Sequence, residues 1–381
     1  MVWSNVKNPV YILADSVVTP LGASTAENME NLFSGNSAIK NYHHSQIGNF
    51  YASKFDEGYP FPTKKNADTY TKIERLFIAS VEQAIEDLPF DLNQSDVVFV
   101  FASTKGNVEY LADPLFDPNR LRIGVMADAV INYFNNPNKP IIVSNACISG
   151  LQAIQYAHQI LQRGQYKYAI VTGADCFSEF ILSGFHSFQA LSPFACKPFD
   201  KNRSGLTLGE GCGTLILSSV KPEEEEAVEI LSIVSSNDAN HLSGPSRTGE
   251  GLSSAIIGAM HEAGVEASAI DVIAAHGTAT MYNDEMESLA FQTAGVTHAP
   301  VYSIKGNIGH TLGAAGIIET IYLANSIKQN KLIPSIGYSE VGTSIPLNIT
   351  TRATVQKLGI GLKTASGFGG GNTALILKAQ K

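Results

Sequence analysis

Charged residues are scarce in this chain of 381 residues. Asp, Glu, Lys and Arg together make up 16% of it, whereas hydrophobic residues make up 44%, and 33 glycines are present. This balance excludes a disordered or coiled-coil protein and favours a compact enzyme core. The formal net charge of −9 also argues against a general nucleic-acid binder, so we expect no nucleic-acid partner.

Cysteine is scarce as well, and long apolar runs are missing. The four cysteines form neither a C-x-x-C pair nor a cluster with histidine at metal-ligand spacing: Cys147, Cys176, Cys196 and Cys212. Reduced thiols in a cytoplasmic protein fit this pattern better than a disulfide framework or a zinc site, so we expect no metal. Met1 to Ser16 lacks a basic region followed by an apolar run, and no stretch has membrane-spanning length. We therefore expect neither a signal peptide nor a transmembrane helix.

What the chain does contain is an alternation of apolar strand patterns and amphipathic helix patterns. The predicted strands are Val10–Val18, Val97–Ala102, Tyr168–Gly173 and Gly213–Ser219, and the predicted helices are Thr25–Phe33 with Thr25 as N-cap, Tyr70–Leu88 and Leu121–Phe134. Residues 36–68 are aromatic and contain histidine, and we expect an irregular surface loop there. The alternation predicts an α/β fold with mostly parallel strands covered by helices on both faces.

The stretch from Pro140 to Tyr156 predicts a buried strand, a sharp turn and a helix. Ile141–Val143 is a β-branched run, and apolar residues recur at helical spacing from Leu151 until Gly164. Cys147 would lie in the first turn of this helix, where amide groups and the macrodipole favour thiolate over thiol. A single free cysteine is more often a buried apolar residue, so position alone does not establish a nucleophile.

The second part of the chain repeats the first in outline. Gly209–Ser219 resembles Gly369–Ala379, because each is a glycine turn that leads into an apolar strand. Val301–Ile304 with the helix that follows likewise resembles the stretch around Cys147. The sequence therefore predicts an internal duplication, with a boundary in the glutamate-rich segment 221–227 and halves at residues 1–220 and 221–381.

Two histidines and a glycine-rich loop are placed where ligand sites of α/β sheets lie. His276 follows the apolar strand Ile270–Ala275, His310 follows the strand at Val301, and Gly367–Asn372 is a flexible loop. Each histidine alone is more often structural than catalytic. Together with Cys147 they supply a thiolate, imidazoles and backbone amides, which are the groups that thioester chemistry needs.

These motifs resemble the β-ketoacyl synthase family, in the Cys-His-His arrangement of its elongating enzymes. The matching stretches are Asn145–Gly150, His276–Thr280, Lys305 with His310, Gly367–Asn372, Lys197–Asp200 with Gly209–Gly211, and Asn283–Glu287. The resemblance covers residues 9 to 378. It implies a thiolase-like fold with duplicated βαβαβ halves in a five-layered α-β-α-β-α core.

The resemblance also implies a reaction that needs no cofactor. An acyl chain moves from acyl carrier protein to Cys147, a malonyl-carrier-protein thioester loses carbon dioxide, and the carbanion attacks the acyl group to give a 3-oxoacyl product. By the same resemblance, His276 and His310 bind the malonyl carbonyl, and the amides of Cys147 and Phe368 form an oxyanion hole. The other implied site residues are Lys305 in a network with Glu287, the gate Phe368 with Gly369, and the supporting Thr278, Thr280 and Asn372.

The implied partners are an acidic acyl carrier protein and a second synthase subunit, in a homodimer or heterodimer. Since the chain is negatively charged overall, docking needs a local basic patch, and the candidates are Lys72, Arg75, Lys201 and Arg203. Solvated surface cations without this role are about as common.

Some features depart from the family pattern and leave alternatives open. Asn145 replaces the usual Thr or Ser, Ser204 stands where an acidic residue is common, and the segment 106–140 is short. A specialised fatty-acid, polyketide or aryl-polyene pathway fits such a divergent chain. The alternatives are a non-condensing partner of the chain-length-factor type and a carrier-protein acyltransferase. The His pair disfavours a chain-initiating synthase, and the lack of a cysteine after Cys212 disfavours a thiolase.

Overall fold

The computed structural model describes residues 8–65, 68–86, 88, 91–222, 227–238, 240 and 242–380. The strands are β1 Tyr11–Val18, β2 Lys40–His44, β3 Gly48–Ser53, β4 Val97–Ala102, β5 Ile141–Val143, β6 Tyr168–Asp175, β7 Leu208–Gly209, β8 Gly211–Ser218, β9 Val228–Asn237, β10 Val272–Ala274, β11 Val301–Tyr302, β12 Lys331–Leu332, β13 Thr354–Val355, β14 Ile360–Ser366 and β15 Gly371–Ala379. The helices are α1 Thr25–Phe33, α2 Lys72–Ala84, α3 Ile123–Tyr133, α4 Ser149–Gln162, α5 Glu179–Ser187, α6 Glu250–Ala263, α7 Met281–Thr293, α8 Lys305–Ile308 and α9 Ala315–Gln329.

A 10-stranded sheet runs through the molecule and consists of two equivalent halves. From the central β1–β9 pair outward, one half has the order β1, β8, β6, β4, β5 and the other has the order β9, β15, β14, β10, β11. The directions also correspond: β8 and β15 are antiparallel to both of their neighbours, and the outer strands of each half are parallel. The predicted duplication is confirmed.

Helices separate and cover the two halves. α4 and α9 contact strands of both halves, so they form the middle layer. α2 and α3 cover the outer face of the first half, and α6 with α7 packed on it covers that of the second. Because α9 lies between two sheets, it is apolar around nearly its whole circumference. This is the expected five-layered α-β-α-β-α arrangement, and it is confirmed.

Two helices have boundaries that differ from the predicted ones, because capping side chains decide where each helix begins. Helix α2 begins at Lys72 because Thr71 and Glu74 form a capping box, and it ends at Ala84 instead of Leu88. Ser24, not Thr25, caps α1 by accepting a hydrogen bond from the Glu27 amide.

The expectation of an irregular loop at residues 36–68 is wrong in part. The hairpin of β2 and β3 lies there, and β3 pairs with β7 in a small sheet. Most β2 residues face solvent with polar side chains, so the apolar alternation that reveals a strand is weak.

Strand β5 is an edge strand and not a buried one as predicted. It ends the large sheet, and Ile142 is 36% exposed.

The first half of the sheet ends at Ser218 and the second begins at Val228, while residues 223–226 of the expected boundary lie outside the described residues. The division into units at residues 220 and 221 stays a prediction. Among the described helices, none combines the length and apolar character needed to cross a membrane.

Candidate active site

A tight turn between β5 and α4 carries Cys147. Ala146 adopts a left-handed conformation with φ of 44°. Ser149 holds the turn, because its Oγ accepts a hydrogen bond from the Asn145 amide at 2.8 Å and donates one to the Ala146 carbonyl at 2.6 Å. A Cβ on Gly150 would lie 2.8 Å from the Gly313 carbonyl oxygen, so only glycine allows α4 to approach the segment after His310 this closely.

The Cys147 thiol is buried, and its protonation differs from the sequence-based prediction. Helix α4 begins at Ser149, so Cys147 precedes the helix instead of lying in its first turn. Burial raises the pKa of the Cys147 thiol to about 12, although the Lys305 ammonium acts in the opposite direction. The raised pKa is opposite in direction to the expected stabilisation of the thiolate, because loss of hydration outweighs the nearby positive charge.

His310 and His276 stand beside this thiol. The Nε2 atom of His310 lies 3.0 Å from the Cys147 Sγ, and the two imidazole rings are 5.2 Å apart at an angle of 85°. Burial lowers the pKa of both histidines well below the usual value, and the ammonium groups of Lys305 and Lys363 lower it further. Both imidazoles are therefore neutral at neutral pH, and His310 can accept the thiol proton.

Two carboxylates on helix α7 fix the loop that carries His276. Glu287 accepts hydrogen bonds from the His276 amide at 2.8 Å and from the Gly277 amide at 2.6 Å. Asp284 accepts from the Thr278 amide at 3.0 Å. The first turns of α7 thus position the backbone of the histidine loop.

Lys305 pairs with Glu319 and not with Glu287 as expected. Its Nζ atom lies 2.5 Å from Glu319 Oε1, donates to the His276 carbonyl and lies 3.5 Å from His276 Nδ1. Glu319 Oε2 lies 2.6 Å from Nζ of a second buried lysine, Lys363. Glu287 instead accepts hydrogen bonds from the histidine loop and from the hydroxyl of Thr364. The correction reflects the position of α9, which brings Glu319 between the two lysines.

A cavity of about 270 Å³ leads from the surface to Cys147 and both histidines. Its lining includes Thr278 and Thr280, whose hydroxyls are 3.0 Å apart, and Phe368. The Phe368 ring contacts Phe188 and Phe185 at centroid distances of 5.4 and 5.9 Å.

The loop that carries Phe368 is shaped by its glycines and by Asn372. Gly369 has φ of 89°, and Asn372 accepts a hydrogen bond from Ser366 and donates one to Gly370. A Cβ on Gly367 would lie 3.2 Å from the Cys147 nitrogen, so the loop passes directly over the nucleophile.

The donor atoms of Cys147, His276 and His310 lie within 4.8 Å of one another, a spacing that could hold a metal ion. The ammonium groups of Lys305 and Lys363 act on both imidazoles and would oppose a further cation between them. A thiol beside neutral imidazoles suits acyl chemistry better.

The candidate docking cations differ in accessibility. Arg203 is buried, and its guanidinium donates to the carbonyls of Asp200, Gly342, Thr280 and Met281, so it is removed as a docking candidate. Lys72 is bound to the buried Glu210 at 2.7 Å. Arg75 is half-buried, and the exposed Lys201 pairs with Glu340 at 3.1 Å.

The sequence reasoning missed Glu319 and Lys363. Both are ionisable residues within almost fully buried segments, namely the middle of α9 and the strand β14. Ionisable residues inside buried segments are rare unless they are paired, and this signal could have identified them.

Comparisons with known proteins agree with this geometry. Residues 7–223 match the beta-ketoacyl synthase N-terminal domain family, and residues 227–339 match the corresponding C-terminal domain family. The chain is 28% identical to 3-oxoacyl-[acyl-carrier-protein] synthase 2 of Vibrio cholerae, with 98% of this chain and 99% of that protein aligned. It is 30% identical to the Staphylococcus aureus enzyme of the same name, with 83% and 86% aligned.

The fold is shared with solved structures as well. The ishigamide ketosynthase/chain length factor superposes with a TM-score of 0.88 at 26% identity, over 98% of this chain and 99% of the other. The two family matches together span most of the sequence and include Cys147, His276 and His310. The chain therefore belongs to the β-ketoacyl synthase family of condensing transferases, and it has the thiolase-like fold of that family.

Proposed function

We propose that this chain condenses an acyl group carried on Cys147 with malonyl-acyl carrier protein, releasing carbon dioxide and a 3-oxoacyl-carrier protein. The observation that carries the proposal is the 3.0 Å approach of His310 Nε2 to the Cys147 Sγ, with His276 on the same cavity. The names of the Vibrio and Staphylococcus relatives support the carrier-protein substrate.

Acylation begins with a neutral thiol and a neutral imidazole. As the Cys147 sulfur attacks the acyl thioester carbonyl, its proton passes to His310 Nε2 and then to the departing thiol of the carrier. The developing oxyanion needs hydrogen-bond donors, and within the described part of the chain the Phe368 amide makes no other hydrogen bond. We assign this amide and that of Cys147 to the oxyanion.

Decarboxylation then uses both imidazoles as donors, and His310 donates in the tautomer whose single ring proton is on Nε2, opposite to the tautomer that accepted the thiol proton. The Lys305 ammonium lies 3.5 Å from His276 Nδ1, and since an ammonium can only donate, Nδ1 is the acceptor and the ring proton resides on Nε2. We propose that His276 and His310 donate to the malonyl thioester carbonyl. They stabilise the enolate that remains when carbon dioxide leaves. The enolate carbon attacks the acyl group on Cys147 and releases the Cys147 thiolate. That thiolate then takes up a proton.

The supporting residues keep this arrangement in place. Glu287 and Lys305 position His276, while Thr278 and Thr280 line the passage along which a carrier-bound thioester would enter. Phe368 and Gly369, in the loop formed with Asn372, are assigned as the gate to the nucleophile.

We propose two protein partners. An acidic acyl carrier protein would contact the exposed Lys201 and the partly exposed Lys72 and Arg75. A second synthase subunit, identical or related, would cover the open edge of β5, where Ile142 is exposed. The ishigamide structure, a ketosynthase with a chain length factor, supports a related subunit.

Unpaired cysteines, including the nucleophile, suit the reducing cytoplasm as the place of the reaction.

The decisive experiment combines acyl-carrier proteins of varied chain length with malonyl-carrier protein and detects carrier-bound products by intact mass spectrometry. A 3-oxo product two carbons longer than the acyl primer is expected. Acylation of Cys147 without any elongation would indicate an acyltransferase instead. Neither acylation nor elongation, in the presence of candidate partner subunits, would indicate a non-condensing partner of the chain-length-factor type.

A further inference from the structure

Strand β14 contains a buried lysine whose role the reaction described above does not explain. Lys363 is completely buried. In the sheet it pairs with Ala274 of β10, the strand whose end leads to His276. Its strand is buried along nearly its whole length, so a cation here needs acceptors within the protein.

The contacts of Lys363 favour the ammonium form. Its Nζ atom lies 2.6 Å from Glu319 Oε2 and donates to the carbonyls of Ala274 at 3.3 Å, Ala275 at 3.5 Å and Thr364. All four neighbours are acceptors, and an ammonium offers them three N–H groups whereas a neutral amine offers two. Burial lowers the pKa of Lys363, but the Glu319 carboxylate opposes this effect.

Lys363 reaches His276 by two routes. Directly, it holds the carbonyls of the two residues that precede His276. Indirectly, it shares Glu319 with Lys305, and Lys305 contacts both the carbonyl and the Nδ1 atom of His276. Two ammonium groups thus share the Glu319 carboxylate, and both lie close enough to the imidazoles to act on them electrostatically.

We propose that Lys363 is a positioning residue that fixes the end of β10 before His276 and adds positive charge that, together with burial, favours the neutral forms of His276 and His310. The inference rests on the proposed function, since neutral imidazoles are what that reaction requires. The charged and titratable groups that face Lys363 are Glu287 on α7, Lys305 on α8 and Glu319 on α9. Electrostatically, Lys363 lowers the pKa of both histidines.

Two substitutions separate the charge of Lys363 from its hydrogen bonds. Lys363→Met removes both, and Lys363→Gln removes the charge but keeps a donor. Either one leaves Glu319 paired one-to-one with Lys305, so a stable fold is expected. Lys378→Met, an exposed position on the adjacent β15, is the matched control.

The readout is the rate of malonyl-carrier-protein decarboxylation against pH. Activity falls at low pH as the histidines become protonated, and removal of a nearby cation raises their pKa. The acid limb should therefore move to higher pH by about one unit in both Lys363 variants, and stay in place in Lys378→Met. A purely structural role would instead lower the rate equally at every pH.

Histidine titration followed by NMR tests the proposal independently of turnover. With ¹³C-labelled histidine, the signals of His276 and His310 should titrate at higher pH in both variants. Unchanged histidine titrations, or failure of both variants to fold, would overturn the assignment of Lys363. If the wild type neither decarboxylates nor condenses, the proposed function fails, while the titrations still decide the role of Lys363.

Discussion

At the scale of single residues, the burial of Cys147 favours its thiol form over the thiolate. Burial raises its pKa, and His310 beside it is a neutral acceptor. Reactivity therefore depends on transfer of a proton during attack and not on a stable thiolate. This distinguishes Cys147 from cysteines that are activated in advance by a neighbouring imidazolium.

The first prediction concerns the nucleophile. Cys147→Ala should abolish formation of the acyl-enzyme and condensation, because no other group can accept the acyl chain, while some malonyl decarboxylation by the two histidines should remain. Intact-mass measurement after incubation with acyl-carrier protein checks this. Cys212→Ala, a buried thiol in β8, is the control and should still be acylated. Acylation of Cys147→Ala at the wild-type level would refute the assignment.

The second prediction follows from the pKa of about 12 for Cys147. The rate of alkylation by iodoacetamide should rise about tenfold per pH unit between pH 7 and 9 without levelling off, because the thiolate fraction keeps increasing far below the pKa. Mass spectrometry of the modified peptide gives the rate at each pH. A plateau in that range would show that the resting residue is already a thiolate.

Sequence motifs were sufficient to predict which residues surround the cavity, but not how they pair. Cys147, His276 and His310 each follow a strand, and the structure brings them together. Lys305 was assigned to Glu287, whereas Glu319 is its partner, because that pairing depends on where α9 packs. Propensities and motif spacing contain no information about such a tertiary contact.

At the scale of elements, helices α7 and α9 serve as supports for the histidine loop. The third prediction is that Glu287→Gln lowers the condensation rate at least tenfold, because one of two backbone amides loses its acceptor and His276 shifts. Acylation of Cys147 should change little. Glu285→Gln, on the same helix but bonded to Ser344 near the surface, is the matched control. An equal decrease in the rate of Cys147 acylation and in the rate of condensation would contradict the prediction.

The fourth prediction concerns the buried charges on α9. Glu319→Gln removes the ion-pair partner that the ammonium groups of Lys305 and Lys363 share and should lower the free energy of unfolding by roughly 3–5 kcal/mol. The double variant Glu319→Gln/Lys363→Met should be more stable than Glu319→Gln alone. Denaturant titration of Glu319→Gln, of Lys363→Met and of the double variant gives the coupling free energy between the two positions. Additive effects would show that the three groups do not act as one cluster.

Elements with both faces in the core were the easiest to predict. The apolar runs at β4 and β6 correspond closely to the observed strands, because burial on both faces demands continuous apolar sequence. The hairpin of β2 and β3 was missed because its exposed face is polar. The strand at β5 was found but misjudged as buried, since a sequence does not show which strand ends a sheet.

At the scale of the whole molecule, the open edge of the sheet lies next to the nucleophile. Strand β5 both ends the sheet and leads into the Cys147 turn. An exposed edge with apolar side chains is a surface that proteins usually cover. A subunit that covered this edge would therefore lie beside Cys147.

The fifth prediction tests that association. Ile142→Lys places a charge on the edge strand and should shift the protein, or its complex with a related subunit, toward monomers. Light scattering after size-exclusion chromatography measures the mass. Val355→Lys, at an exposed apolar position on β13, is the control and should leave the mass unchanged. An unaltered mass for Ile142→Lys would place the subunit contact elsewhere.

The duplicated architecture has a consequence for the active site. The acyl-accepting thiol belongs to the first half of the molecule, whereas both imidazoles belong to the second. The equivalent turns of the halves, after β5 and after β11, thus carry different groups, Cys147 in one and His310 in the other. Neither half alone contains the complete set of one thiol and two imidazoles, so the site exists only where the halves meet.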